Sequence, residues 1–83
     1  MGGFMVSEVS LRRYAEYIRN PLWSLLVETV RALPSYPHHK DYVRSVLLRD
    51  NPNITPEEVK IRLGVPLGEA LVILYELSKE KER

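Results

Sequence analysis

Between Leu67 and Leu77 the chain reads Leu-Gly-Glu-Ala-Leu-Val-Ile-Leu-Tyr-Glu-Leu, apolar at almost every position. Wound into a helix, this segment has no polar face to turn to water, and a helix apolar all round must be covered all round. Leu71 and Val72 left in solvent would each forgo roughly 1.5–3 kcal/mol of burial. The fold must therefore wrap this segment, and a chain of 83 residues has few elements with which to do it. Two covers are available: the chain's own N-terminal helices folded back across it, or another protein chain.

Prolines and caps divide the rest. Leu11, Tyr14, Ala15 and Ile18 recur at three- and four-residue spacing and predict a helix over 7–19. Asn20-Pro21 is a helix start, with asparagine as the cap and proline where an amide would be orphaned anyway. The helix it opens, over 21–33, carries Leu22, Trp23, Leu25, Leu26, Val27, Val30 and Leu33 on more than one face. Pro34-Ser35-Tyr36-Pro37 reads as the linker after this N-terminal helical pair. A third helix is expected over 38–49, burying Val43, Val46 and Leu47, and the turn cluster Asp50-Asn51-Pro52-Asn53 ends it. Thr55-Pro56-Glu57-Glu58 is a capping box with proline at the first helical position. It opens a short helix over 56–63, which Gly64 stops. The last helix starts near Leu67 and runs into the charged tail 79–83, expected to fray like residues 1–6 at the other end. No segment alternates with a period of two, so no strand is expected. The expectation is one all-α domain, a small bundle of four to five helices.

Composition narrows the function more by exclusion than by assignment. A hydrophobic share of 45% and a charged share of 28% suit a soluble globular chain. Without cysteine there is neither a disulfide framework nor thiolate metal ligation. The longest apolar run, Ala70 to Tyr75, falls far short of the ~20 residues that span a bilayer. Met1 to Val6 lacks the basic and long apolar regions of a signal peptide. These features lead to a cytoplasmic expectation. The absence of glutamine and cysteine beside many charged residues leans towards a thermophile. Charge is unevenly spread, because residues 55–83 hold five basic and six acidic groups although the whole chain is +1.

The run Thr55 to Leu77 resembles the helix-turn-helix of the winged-helix-like superfamily. Thr55 stands at the cap, Glu58-Val59 at the acidic–apolar pair, Leu63-Gly64-Val65 at the turn and Pro66 before the second helix. Ala70, Ile73, Leu74 and Leu77 fall at the inward-facing positions. With the third helix as its first, the resemblance covers about 38–78. It implies a tri-helical core plus the N-terminal pair, and DNA reading from the outer face of the last helix. Three departures bear on that. Lys60 stands where the family has a small residue at the helix crossing. The reading positions map to Leu67, Gly68, Glu69, Leu71, Val72 and Tyr75, none of them a cation, whereas base readout wants Arg, Lys, Asn or Gln. No segment after the last helix reads as the β-hairpin wing.

The function expected is therefore a non-catalytic protein-interaction module derived from that fold. It would act as a small accessory subunit or dimeric adaptor of a transcription or replication assembly, meeting its partner through Trp23, Leu67, Leu71, Val72 and Tyr75. The alternatives are direct DNA binding, with Arg12, Arg13, Lys40, Arg44, Lys60 and Arg62 on phosphates, and a monomeric structural bundle. His38-His39-Lys40-Asp41 offers at most two metal ligands at a helix start, where cations are disfavoured, and is read as a solvated first turn. Glu57-Glu58 is accounted for by capping. No nucleophile motif or phosphate-cradling loop is present, so no enzyme, metal or cofactor is expected.

Overall fold

In the computed structural model the chain is described over residues 14–81, and helices account for about four fifths of it, with no strand among the described residues. Helix α1 covers 14–19 in its described part. Helix α2 is Trp23–Arg31. Helix α3 is a continuous rod of three stretches: Tyr36–Tyr42, a π-helical turn Val43–Leu47, and Leu48–Asp50. Helix α4 is Pro56–Leu63 and α5 is Leu67–Lys81. The predicted starts of the first helix and the frayed segment 1–6 lie outside the described residues.

The capped start of α4 forms as the sequence implies. Thr55 Oγ1 accepts from the Glu58 N–H at 3.2 Å, and the Glu58 carboxylate accepts from the Thr55 N–H at 3.0 Å. Gly64 stops the helix in the left-handed region at φ 71°, where an L side chain would be strained. The other starts shift. Asn20 Oδ1 takes up the Leu22 N–H at 2.9 Å, forming a turn, and α2 begins at Trp23 rather than at Pro21. Helix α3 begins two residues before the expected His38, because Tyr36 is drawn into the core and Pro37 fits a first helical turn.

The π turn of α3 was not legible beforehand. The Leu48 N–H bonds the Val43 carbonyl, an i→i+5 closure. A turn of that kind holds more residues than the about 3.6 of an α-helix, so a side chain three positions on falls farther from the starting face. Val43 and Leu47 are buried, but Val46, expected inside, is exposed.

Leu47, Ile73, Val43, Val59 and Val72 form the fully buried centre. Around it stand Tyr14, Val30, Tyr36, Ile54, Val65, Ala70, Leu71, Leu74 and Leu77. The axis of the bundle is α5, which packs against α2, α3 and α4. Close approach of α2 is allowed by Gly68, since a Cβ there would stand 3.0 Å from Leu26 Cδ1. Among the described residues no helix is long and apolar enough to cross a membrane.

Candidate functional site

The reading face that the resemblance assigns to α5 lies under the chain's own helices. Val72 is 0% exposed, Glu69 3% and Leu71 6%. Leu67 packs half-buried against the core. Tyr75 meets Trp23 edge-on across the α2–α5 contact, with ring centroids 5.3 Å apart, a favoured aromatic geometry. The expected contact set is thus turned inward: Trp23 and Tyr75 meet between α2 and α5, and Leu71 and Val72 are buried in the core, Leu71 beside Tyr14 and Pro56. Leu71 and Val72 are not available to a partner in this conformation, which corrects their assignment as surface anchors. Trp23 and Tyr75 keep only a half-buried edge.

A second correction concerns His39 and the charged tail. His39 Nδ1 stands 2.6 Å from Glu69 Oε2, tying the first turn of α3 to the first turn of α5. So His39 is not part of a solvated start, while His38 and Asp41 remain exposed. Among the described residues no group of three or more His, Asp or Glu is gathered closely enough to hold a metal. Helix α5 continues into the charged tail as far as Lys81, and Lys79 lies over the Tyr75 ring at 5.2 Å. Residues 82–83 lie outside the described residues.

The tail carboxylates face cations of α3. Glu76 accepts from the Tyr36 hydroxyl at 3.1 Å, pairs with Arg31 of α2 and stands 3.5 Å from Lys40. Glu80 takes Lys40 at 2.8 Å and Arg44 at 3.1 Å, and Arg44 also meets Asp41 at 3.2 Å. Burial tends to raise the Glu76 pKa, but the hydrogen bonds and charges of Arg31, Tyr36 and Lys40 outweigh it and hold the carboxyl below 4.5. Lys40 and then Arg44 do the same for Glu80. Burial, reinforced by the Glu76 charge, pushes the Tyr36 hydroxyl well above its usual range, so it remains a donor.

This network divides the candidate phosphate contacts into paired and unpaired cations. Lys40 and Arg44 are neutralised by carboxylates of α5, whereas Lys60 and Arg62 are exposed on α4 and make no ion pair among the described residues. Lys60 points to solvent, which removes the crossing problem raised by its size. Arg12 and Arg13 lie outside the described residues. Sequence reasoning missed the apolar surface that is open: Leu22, at the N-cap of α2, and Leu25, in its first turn, are 64% and 56% exposed, and Ile61 on α4 is 79% exposed. Leu22 and Leu25 are three apart, hence neighbours on one helix face. The signal was present in α2, whose apolar residues outnumber the positions one buried face can hold.

No protein-family model, no curated protein and no solved structure matches this chain.

Proposed function

We propose that the chain is a non-catalytic protein-interaction module derived from the helix-turn-helix fold, acting as a small accessory subunit or dimeric adaptor of a transcription or replication assembly. The single observation that carries this reading is the cover over α5. A helix whose reading positions are taken up by the chain's own other helices has no face to lay in a major groove, and its side chains there offer no bidentate base contact. The assembly class rests on the resemblance of residues 38–78 and on nothing else.

The contact surface moves with the cover. Leu22 and Leu25, on the outward side of the same α2 that closes α5, present apolar area to solvent, and Trp23 lies beside them in the chain. A direct DNA-binding reading is favoured by one observation, the pair of unneutralised cations Lys60 and Arg62. Two phosphate contacts make a slope of only about −2 in log affinity against log salt, near a tenfold loss from 50 to 200 mM.

The test is the solution mass of the full chain beside a Leu22→Glu/Leu25→Glu variant, with duplex titrations at both salt concentrations. The module reading expects a mass above one chain for the wild type, a single-chain mass for an equally helical variant, and no salt-sensitive duplex binding. A monomer that binds duplex, and loses it in Lys60→Ala/Arg62→Ala, supports the DNA reading. A monomer that does neither, and forms no complex with any protein of the host assembly, leaves the structural bundle.

A further inference from the structure

A cavity of about 250 Å³ opens where α1 meets the start of α4, lined by Tyr14, Tyr17, Thr55, Pro56, Glu57 and Leu71. Tyr14 and Leu71 are buried and form its inner end, while Tyr17 and Glu57 are exposed and form its mouth. None of these residues belongs to α2, so this site is separate from the Leu22–Leu25 surface. Its volume is below the about 300–1,000 Å³ of pockets for drug-sized ligands, and suits a single side-chain head.

The lining selects by charge. Aromatic ring faces attract cations through their quadrupole. Glu57 adds a carboxylate and joins no ion pair among the described residues. A helix start ordinarily favours anions, through roughly half a unit of positive charge and its free amides. Here most of that capacity is taken up from within. Pro56 has no amide hydrogen, the Glu58 N–H is held by Thr55 Oγ1, the Thr55 N–H is held by the Glu58 carboxylate, and two glutamates occupy the first turn. Among the lining residues Glu57 alone carries a charge, and it is negative, so the lining favours a cation over a carboxylate or phosphate.

We propose that this cavity receives the ammonium or guanidinium head of a basic side chain presented by a partner protein. The assignment rests on the interaction-module reading and adds the chemistry of what the partner inserts: a lysine or arginine reaching between Tyr17 and Glu57 towards Tyr14 and Leu71.

The experiment is an NMR titration of the full chain with tetramethylammonium, with N-acetyl-lysine methylamide, and with tert-butanol as the uncharged isostere. Both cations should give saturable shifts, at millimolar concentration, in the ring signals of Tyr14 and Tyr17 and the methyls of Leu71; tert-butanol should not. Glu57→Gln and Tyr17→Ala should each weaken cation binding by roughly two- to fivefold. Both positions are exposed, and far-UV circular dichroism should report unchanged helix content. An equal response to tert-butanol, or unaltered affinity in Glu57→Gln, overturns the proposal. Silent tyrosines in a chain whose mass still falls on Leu22→Glu/Leu25→Glu overturn the cavity alone. Cation-responsive tyrosines in a strictly monomeric, partnerless chain support the cavity's chemistry and overturn the module reading on which its occupant rests.

Discussion

Helices α4 and α5 are consecutive and in contact, yet they are held by opposite means. In α4 only Pro56 and Val59 are buried, and Ile61 stands almost wholly in water. In α5 every residue from Glu69 to Leu74 is buried. The bounds of α4 come from its own ends: a reciprocal cap at Thr55 and Glu58, proline in the first turn and a left-handed glycine after the last. The order of α5 comes from its neighbours, because a segment so apolar gains its free energy only when α2, α3 and α4 exclude water from it. Local devices therefore set where the short helix begins and ends, while Val59 and Leu63 dock it on the bundle; the long helix depends on that bundle along its whole length.

Substitutions should separate the two helices sharply. Leu71→Glu places a charge in the core beside Tyr14 with no partner and is expected to cost more than about 4 kcal/mol, comparable to the whole stability of a domain this small. Far-UV circular dichroism should show the helices lost; a folded, helical Leu71→Glu chain would mean that α5 has an open face after all.

Glu76→Gln comes next, at about 1.5 kcal/mol near neutral pH, since it weakens charge-assisted bonds from Arg31, Tyr36 and Lys40. It should also change the acid limb. The folded Glu76 and Glu80 carboxyls lie below the ordinary value of 4.5, so the folded chain binds protons less readily than the unfolded one. Their contribution is complete above that value and disappears as pH falls through it towards the folded pKa. Denaturant midpoints measured from pH 6 to pH 3 should fall less steeply in Glu76→Gln than in the wild type; parallel curves would remove the network from the stability of the fold.

Thr55→Ala should cost about 1 kcal/mol by opening the cap of α4. Hydrogen exchange should place the loss in the first turn of α4 and leave the amides of α5 protected. Uniform loss across both helices would erase the contrast. Ile61→Ser should change stability by no more than about 0.5 kcal/mol, as befits a side chain that touches little. A larger drop in the thermal midpoint would show Ile61 to be covered in solution.

Much of the bundle was legible in the sequence where the signal is local. The bounds of α4 were readable to the residue because capping chemistry involves neighbours three apart. The early start of α3 and its π turn were not, because they arise where Tyr36 reaches Glu76 and where Val43 and Leu47 must both face the core. The surface was the least legible part. Apolar pattern marked Leu71 and Val72 as needing cover, but which of the many apolar residues of α2 would supply it, leaving Leu22 and Leu25 outside, depends on how α2 is rotated against Gly68. The same holds for charge. Lys40 and Arg44 are one turn apart, as are Glu76 and Glu80, so a match between two helices was written in the spacing; the register that brings them together was not.

Taken alone, the sequence determined that the chain is helical, where its best-capped helix begins and ends, and that the last helix has to be enclosed. Those follow from hydrogen bonds and periodicities spanning a few residues. The tertiary structure alone decided that α2, α3 and α4 together enclose it, that His39 and Glu69 meet, and which cations are left unneutralised. The polar ties of α2 and α3 to α5 set residues 30 or more positions apart against one another, and such distances are settled by packing the whole bundle, not by any stretch of it.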